Sequence, residues 1–434
     1  KDQIWLWEAS HPNRSWPSWP DLYFWQALKM GGLPSRLSIQ WKITLLAGLC
    51  LLVIVSLLVA TSLYQSRNSA EIVKQSSSQM LEQAAQLRMQ ARAEAQALEI
   101  QRHFMDAYQY GKGFSRQVMF LRAQAEKRFL DAFDLREDMT NQVRTALEGN
   151  PDLLGLYVVF EANALDGKDE LFVDQEKLGS NGKGRFALYW SQAKVGELEA
   201  AALKESELAD TTPGANGTPY NTWYTCPRET KATCVLDPYF DEVGDKQMLM
   251  TSIAFPLQLD GKVVGVMGID ISLDNLQELS MQAHNELYEG AGQVSIISSA
   301  GFLAGNSRDR QMLGEPLSKA FGEQSSELLE IVKRGQPAAL KHADMQRVLS
   351  PLQPIPNAKP WSVLLEVPNA VLMKPALLLE QQLDQQSTAD SIKSLILGLF
   401  AVLLGLLLMW MTARGVTRPI LGVAAMLKDI ASGE

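Results

Sequence analysis

Two long runs of apolar residues interrupt a chain in which hydrophobic and polar positions otherwise alternate closely. Residues 43–63 and 394–413 contain only apolar or small uncharged side chains. Each run has about 20 residues, the length that an α-helix needs to cross the roughly 30 Å hydrocarbon layer of a membrane. A buried helix of a soluble protein would carry polar residues on one face, and neither run does. The pattern therefore predicts membrane spans at 43–64 and 393–413.

A cleaved signal peptide is the alternative for the first run. The run is longer than a typical signal core, however, and no small-x-small cleavage pattern follows it closely. Basic residues flank the two spans on the sides that face the chain termini: Lys29, Arg36, Lys42, Arg414 and Arg418. Because cytoplasmic flanks are enriched in such cations, we expect both ends of the chain in the cytoplasm and residues 65–392 outside.

The two ends of the region between the spans have a composition that is typical of helices. Residues 65–110 are rich in Ala, Gln, Glu, Arg and Leu, so they predict a helix that continues out of the first span. We expect Gly111-Lys112-Gly113 to break this helix and a second helix to follow at 114–147. Residues 371–393 predict a further helix that leads into the second span.

Strand patterns and turn residues fill the middle of this region. Strands are predicted at 153–160, 170–173 and 185–192, with a turn at 163–168, and 197–218 is polar with loop character after Asp210. The strongest signal is a hairpin of residues 247–259 and 262–272, joined at Asp260-Gly261. A helix at 273–288 follows it.

A smaller unit repeats this order of elements. Strands are predicted at 293–298, 302–305, 338–351 and 361–367, with helical residues at 317–334. Pro256-Leu257-Gln258 precedes the last strand of the first unit, and Pro351-Leu352-Gln353 precedes the last strand of the second. The repetition indicates an internal duplication. The predicted fold class is therefore α+β, with two mostly antiparallel sheets and helices to one side of each.

Charge and cysteine content narrow the function. The formal net charge of −9, without a basic stripe, argues against a nucleic-acid partner. Cys226 and Cys234 bracket a short loop outside the membrane and predict a disulfide in an oxidising compartment, whereas Cys50 lies inside the first span. A metal site is the alternative, but two cysteines without a nearby histidine are too few ligands for zinc. The sequence contains no nucleophile–base constellation, so a hydrolase is disfavoured, and no cofactor or metal is expected.

Carboxylates and aromatic rings recur at wide spacing in a stretch whose pattern is that of antiparallel strands. The candidate ligand-binding residues are Tyr189, Trp190, Trp223, Tyr224, Asp237, Tyr239, Asp241 and Asp270. Carboxylates among aromatic residues cost desolvation free energy unless a cation meets them. Aromatic faces add cation–π attraction of about 0.5–2 kcal/mol per good contact. The stretch therefore predicts a site for an organic ammonium ion.

Simpler roles stay open for several of these residues. Trp223 and Tyr239 are also suited to ordinary core packing. Asp237, which precedes Pro238, also suits a turn cap. Asp270 ends a predicted strand just before a predicted helix, so it also suits an N-terminal helix cap.

The whole arrangement resembles a bacterial methyl-accepting chemotaxis receptor with a double Cache sensor domain. The resemblance covers about residues 36–434 and rests on the two spans, the two-module exterior and Arg418-Pro419. After that pair, Ile420, Val423, Leu427 and Ile430 follow at the 3-and-4 spacing of a coiled-coil seam and resemble the first helix of a HAMP linker.

This resemblance implies a division of the chain. Residues 1–42 are a cytoplasmic segment, 65–392 the periplasmic sensor domain, and 414–434 the start of the HAMP linker. Within the sensor domain, a membrane-distal module covers about 112–280 and a proximal module about 285–370. Residues 1–29 are tryptophan-rich. We expect Met30 to be the natural start, and an interfacial anchor is the alternative for the residues before it.

The resemblance also implies a ligand class. In Cache chemoreceptors for amino acids, a Trp-Tyr pair, a Tyr-x-Asp and a later Asp line the pocket, and they match Trp223-Tyr224, Tyr239-x-Asp241 and Asp270. The aspartates hold the ligand's ammonium group, and an arginine two residues before the tryptophan holds its carboxylate. This chain has Asn221 there. A pocket without that arginine should prefer amines that carry no carboxylate. Asp237, Leu188-Tyr189-Trp190 and Tyr239-Phe240-Asp241 resemble the subgroup for polyamines such as putrescine and histamine-like amines, with Asp237 available for the far end of a diamine.

As a chemoreceptor, the chain is expected to be a non-enzymatic homodimer in the bacterial inner membrane. It would signal to a cytoplasmic chemotaxis kinase and adaptor. A receptor for amino acids, and a sensor histidine kinase or diguanylate cyclase with the same exterior, are the alternatives. A Glu/Gln/Ala-rich helical hairpin after residue 434 would indicate the chemoreceptor, and a phosphoacceptor histidine or ATP-binding region would indicate the kinase.

Overall fold

A computed structural model describes residues 39–244, 246–342 and 344–431. The predictions for residues 1–38 and for the last three residues lie outside this range. The chain divides into two compact units, one formed by Ser77–Leu378 and the other by the chain on either side of it.

The α-helices, in chain order, are α1 Ile39–Arg128, α2 Ala132–Glu148, α3 Glu205–Leu208, α4 Thr222–Thr230, α5 Leu273–Glu286, α6 Leu317–Phe321, α7 Ser325–Arg334, α8 Asn369–Leu372 and α9 Lys374–Ala431. Short 3-10 helices lie at Asp169–Leu171, Glu176–Leu178, Tyr288–Gly290, Arg310–Met312 and Gly322–Gln324. The strands are β1 Gly155–Phe160, β2 Ala187–Lys194, β3 Glu197–Ala202, β4 Cys234–Val235, β5 Tyr239–Val243, β6 Lys246–Leu259, β7 Lys262–Ser272, β8 Gln293–Ile297, β9 Leu303–Asn306, β10 Ala338–His342, β11 Met345–Leu352 and β12 Trp361–Pro368.

Helices α1 and α9 carry the two apolar runs. The segments Thr44–Arg128 and Lys374–Gly415 are each long and apolar enough to cross a membrane. Glycines mark where the two helices touch: Gly48 contacts Leu406, Gly398 contacts Val59 and Gly405 contacts Leu51, and a β-carbon at any of them would collide with that side chain. Small residues at such contacts are typical of helix packing in membranes.

Helix α1 does not break at Gly111-Lys112-Gly113, so that prediction was wrong. The helix continues to Arg128, and the break comes at Phe129, whose φ is +54°. Gly111 packs against the side chains of Phe255 and Ile269, where a β-carbon would not fit. The glycine therefore allows the helix to approach the sheet closely, and the backbone keeps its i→i−4 hydrogen bonds around it.

The first module, residues 132–286, is built on an antiparallel sheet. Its strand order is β3-β2-β1-β7-β6-β4, with β5 also paired to β6. Alternate residues of the central strands face opposite sides, as the pleat requires. On β1, Leu156, Val158 and Phe160 join the core shared with α1 and α2. Tyr157 and Val159 join a separate outer cluster that includes residues of α4.

The second module, residues 287–372, repeats this plan with fewer strands. Its order is β10-β11-β12-β8-β9. One face of this sheet continues the core along α1, with Trp361 packed edge-on against Phe104 at a centroid distance of 5.1 Å. The other face forms its own cluster with α6 and α7. The predicted α+β class with two antiparallel sheets is confirmed.

Several local predictions in these modules were wrong. Residues 170–173 do not form a strand and lie at a 3-10 turn, whereas 197–202, expected as polar chain, form edge strand β3. The stretch at Trp223 is helix α4 rather than a strand, and 338–351 is two strands. The hairpin of β6 and β7 with its turn at Asp260-Gly261 is confirmed.

The closing hairpins of the two modules share one register. Pro256 pairs with Val266 in the first module, and Pro351 pairs with Ser362 in the second. Moving four residues away from each proline reaches the pair Ser252–Asp270 in the first module and the pair Arg347–Glu366 in the second. These two pairs therefore occupy equivalent positions in the duplicated plan.

Candidate functional site

Asp270 lies at the centre of the site, on β7. Its side chain points to the outer face of the sheet, since its neighbours Ile269 and Ile271 both belong to the inner core. Only 3% of the residue is exposed. Ser252, its cross-strand partner on β6, donates a hydrogen bond of 2.5 Å to Asp270 Oδ1, and the hydroxyl of Tyr239 lies 2.7 Å from that of Ser252.

A second carboxylate lies close to Asp270. Asp241 follows Tyr239 by two residues on β5, so both side chains fall on the same face of the strand. The Tyr220 hydroxyl donates a hydrogen bond of 2.7 Å to Asp241 Oδ1, and the amide of Glu242 donates another of 2.8 Å. Among the described residues, neither Asp241 nor Asp270 has a cationic side chain within ion-pair distance.

Because no cationic side chain lies near them, the carboxyl groups of Asp241 and Asp270 both have raised pKa values. Burial, with a contribution from the charge of Asp241, raises the pKa of Asp270 to about 7, although the Ser252 hydrogen bond acts in the opposite direction. Burial also raises the pKa of Asp241, which the Tyr220 hydrogen bond partly offsets. A buried carboxylate resists ionisation when nothing positive is near it. The site therefore gains most from a ligand that brings positive charge.

Aromatic rings surround the two carboxylates. Tyr157 lies across Gly268 of β7, where a β-carbon would collide with its ring, and it packs edge-on against Trp223 at 4.9 Å. The Tyr157 hydroxyl donates a 3.1 Å hydrogen bond to the carbonyl of Trp223. Tyr189 is buried against Gly155, and the charges of Asp270 and Asp241 raise the pKa of its phenol beyond what burial alone does.

One buried donor at this face is unpartnered. In the described part of the chain, the indole N–H of Trp223 makes no hydrogen bond. The Tyr189 hydroxyl makes none of strict geometry either, but it lies close enough to the Asp270 carboxylate to act against the rise in the pKa of Asp270. A buried donor without an acceptor costs about 1–3 kcal/mol, so the indole N–H is available to a ligand or an ordered water.

Helix α4 brings Trp223 to the site and is fixed before its first residue and at its middle. Asn221 precedes the helix, and its side-chain amide donates a 3.0 Å hydrogen bond to the carbonyl of Leu208. In the middle of the helix, Cys226 forms a disulfide with Cys234 on β4, so the predicted bond is present. Since β4 pairs with β6, the disulfide ties the helix to the sheet that carries Ser252.

Not every predicted residue lies at this group. Trp190 alternates with Tyr189 on β2, so its ring packs on the inner core, with the guanidinium of Arg144 5.8 Å from the ring centroid. Tyr224 lies in the outer cluster, but its hydroxyl bonds to Glu161 and Arg185 near the opposite end of β1.

Asp237 is also directed elsewhere. Its Oδ1 accepts hydrogen bonds from the Ser299 hydroxyl at 3.3 Å and the Ala300 amide at 3.1 Å, both in the turn between β8 and β9. The residue therefore joins the first module to the second.

Asp270 does not cap the helix that follows β7. Ser272 caps α5 instead, because its hydroxyl accepts a 3.2 Å hydrogen bond from the amide of Asp274.

Sequence reasoning missed Ser252, Tyr157 and Tyr220. Ser252 is the direct partner of Asp270, but a register shift between Leu257 and Gln258 moves the pairing by one residue. Counting from the Asp260-Gly261 turn would have selected Thr251. Tyr157 was detectable as the one aromatic residue among the outward positions of β1, which also include Gly155 and Val159, whereas Tyr220 lies in a loop without a periodic signal.

Known proteins resemble this chain in sequence. The family model described as methyl-accepting chemotaxis protein-like, first PDC sensor domain, matches residues 139–278. The methyl-accepting chemotaxis protein TlpQ of Pseudomonas aeruginosa is 64% identical over 399 residues, which cover 92% of this chain and 56% of that protein. The chain spans about half the length of the curated relatives it matches.

Solved structures share the fold. The extracellular domain of mmHK1S-Z3, whose name assigns it to the histidine kinases, aligns with a TM-score of 0.52 and 20% identity over 69% of this chain and 98% of that one. The periplasmic sensory domain of the Campylobacter jejuni chemoreceptor Tlp1 aligns with a TM-score of 0.51 and 15% identity over 65% of this chain and 94% of that one. The modules thus have the α+β fold of PDC/Cache-type sensor domains.

Proposed function

We propose that this chain, which carries the PDC/Cache-type periplasmic sensor region of a methyl-accepting chemotaxis receptor, binds a small organic amine in its first module. The observation that carries the proposal is the pair Asp241–Asp270, two carboxylates at the outer face of the sheet without a cationic partner among the described side chains. An ammonium group between them would form charge-assisted hydrogen bonds, which are roughly twice as strong as neutral ones.

The aromatic residues support a cation over a neutral ligand. Tyr157, Tyr189, Trp223 and Tyr239 have their rings at the face to which Asp270 points. A desolvated cation over such a ring gains about 2 kcal/mol in favourable cases. A diamine has a second ammonium group, and the rings of this face are available to it through the same cation–π attraction.

Asn221 favours amines over amino acids. An amino acid carries a carboxylate that needs a cationic partner, since burying it beside Asp241 and Asp270 adds like charge. The Asn221 side chain is buried and engaged with Leu208. The guanidinium of Arg185, near the opposite end of β1, is engaged with Phe160, Tyr224, Glu161 and Glu205.

In the whole protein, amine binding would act through helices α1 and α9, which link the sensor unit to the candidate membrane spans. A shift between two arrangements of the first module would change the chemotaxis kinase and adaptor that a receptor of this type controls. We propose accordingly that the whole protein is a homodimer in the bacterial inner membrane, with the sensor region in the periplasm and a HAMP linker after residue 413.

Calorimetric titration of the chain in nanodiscs tests the proposal. We expect putrescine or histamine to bind with a Kd in the micromolar range or below, and alanine, glutamate and isoleucine to give no heat of binding. Choline separates a general cation site from one that requires N–H donors. Tight binding of amino acids, with the amines silent, would overturn the amine assignment.

A further inference from the structure

The second module contains a buried ion pair at the position that corresponds to the amine site. Arg347 on β11 pairs in register with Glu366 on β12, as Ser252 on β6 pairs with Asp270 on β7. The Arg347 Nε donates a 2.8 Å hydrogen bond to Glu366 Oε1. Both residues are buried, with 8% and 3% of their surface exposed.

The two positions face the same way in their sheets. Leu365 and Val367, on either side of Glu366, belong to the core along α1, just as Ile269 and Ile271 do beside Asp270. Glu366 therefore points to the outer face of its sheet, toward the cluster that includes residues of α6 and α7. In each module one acidic residue of the last strand is buried beneath the outer elements.

The surroundings of Arg347 show how this fold holds a buried cation. Besides Glu366, its guanidinium donates to the side-chain carbonyl of Gln324 and lies 5.5 Å from the ring centroid of Phe321. A carboxylate, an amide and an aromatic ring thus share the charge. The first module presents the same chemistry at the same place, with Asp270, aromatic rings and no cation within ion-pair distance among the described residues.

We propose that the second module carries the counterpart of the amine site and that the chain fills it with its own guanidinium, Arg347. Ser252 is the residue at the equivalent position of the first module, and its short hydroxyl side chain gives Asp270 a hydrogen bond but no cationic partner. The receptor takes one organic cation per chain, in the first module. This inference rests on the proposed function for the identity of the ligand, but not for the state of the second module.

The first experiment removes the guanidinium group from the second module. In Arg347→Ser the Glu366 carboxylate loses its partner, and we expect hydrogen exchange of peptides from β11 and β12 to accelerate in the chain held in nanodiscs. Millimolar guanidinium chloride should restore the protection, with sodium chloride at equal ionic strength as the control. The double variant Arg347→Ser, Glu366→Gln has no buried charge to neutralise, so guanidinium should not protect it. Equal responses of the two variants, or none in either, would overturn the proposal.

The second experiment introduces a guanidinium group into the first module. Ser252→Arg should place a guanidinium on Asp270, lower amine affinity by roughly 100-fold or more, and protect β6 and β7 from exchange as the bound amine does. Adding Asp270→Asn to this variant should remove the protection. Amine binding by Ser252→Arg at the wild-type affinity would contradict the role of Ser252.

The two experiments separate the two ideas. If the wild-type chain binds no amine, the proposed function fails, while the guanidinium response of Arg347→Ser is unaffected. If the wild type binds an amine and the Arg347 variants ignore guanidinium, only the present inference fails. Two equivalents of amine bound per wild-type chain would also contradict it.

Discussion

Asp270 is held in the folded chain at a free-energy cost that a bound cation would remove. A rise in the pKa of a carboxyl group from 3.8 to about 7 corresponds to about 4 kcal/mol of unfavourable free energy once the group is ionised. The unfolded chain does not carry this cost. The ionised carboxylate is thus destabilising without a cationic partner, a cost that is common at binding sites.

The pH dependence of stability follows from this shift. Between about pH 4 and pH 7 the folded chain holds a proton on Asp270 that the unfolded chain has released, so the contribution of Asp270 to stability falls as pH rises and levels off above about 7. Asp270→Asn removes the titration. We expect the variant to be more stable than wild type at pH 8 and nearly equal to it at pH 4, as measured by chemical denaturation.

The same variant should lose the ligand. Removing the carboxylate from a buried charge pair costs about 2–5 kcal/mol, so amine affinity should fall by roughly 30-fold or more in Asp270→Asn. Calorimetry measures the loss, and the far-ultraviolet circular dichroism should match wild type. Unchanged affinity in a folded variant would show that Asp270 does not contact the amine.

Amine binding should depend on pH in the opposite sense to stability. An ammonium ion selects the ionised form of Asp270, so binding below pH 7 must first release a proton. We expect the affinity for putrescine, whose amines stay charged in this range, to fall about tenfold per pH unit below pH 7. Calorimetry in two buffers of different ionisation enthalpy should detect the released proton, and an affinity that is flat from pH 5 to 8 would contradict the shifted pKa.

At the scale of elements, a glycine can either end a helix or allow close packing against it, and the sequence alone did not distinguish these two roles. Gly111 and Gly113 both lie within α1, but Gly111 packs on Phe255 and Ile269 whereas a β-carbon at Gly113 would meet nothing within 4 Å. A glycine pair in a polar helix is typical of a helix end. Only the position of the sheet reveals that the first of them is a packing residue.

This difference makes a matched pair of variants. Gly111→Ala inserts a methyl group into a close contact and should destabilise the sensor unit by about 1–3 kcal/mol. Gly113→Ala should stabilise it by about 0.5–1 kcal/mol, because alanine is the better helix former at an open position. Denaturant titration of both variants measures the contrast, and equal effects would mean that α1 does not pack as described.

The register of the hairpins sets the limit of prediction at this scale. The sequence predicts β6, β7 and their turn, and it places Asp270 at the end of β7. The one-residue irregularity at Leu257 and Gln258 then decides that Ser252 faces Asp270. A bulge of this kind depends on packing against neighbouring strands, so alternation alone does not reveal it. Helix α4 was missed for a similar reason, since its short run follows a loop and carries strand-favouring aromatics.

At the scale of the whole molecule, Asp237 links the site to the second module. It precedes Tyr239 by two residues, and Tyr239 contacts the Ser252–Asp270 pair. Its own carboxylate holds the β8–β9 turn through Ser299 and Ala300. A ligand that moves Tyr239 would therefore also affect the hydrogen bonds by which Asp237 joins the two modules.

Replacing Asp237 distinguishes a role in joining the two modules from a role in binding the ligand. In Asp237→Ala we expect amine affinity within about threefold of wild type, since the carboxylate bonds elsewhere, and faster hydrogen exchange of the β8–β9 turn. Loss of a hydrogen bond that involves a charged group costs about 1.5–3 kcal/mol locally. A large loss of putrescine binding, with the turn unaffected, would return Asp237 to the site for the far end of a diamine.

The shared register of the closing hairpins also bears on how duplicated modules of this fold diverge. Serine and arginine have codons that differ by a single base, and in this chain they occupy equivalent positions at 252 and 347. After a duplication, one such base change would decide whether the acidic residue of a module has an arginine partner from its own chain. The exchange would leave the strands and their pairing intact, so specificity could change in a lineage long before the architecture does.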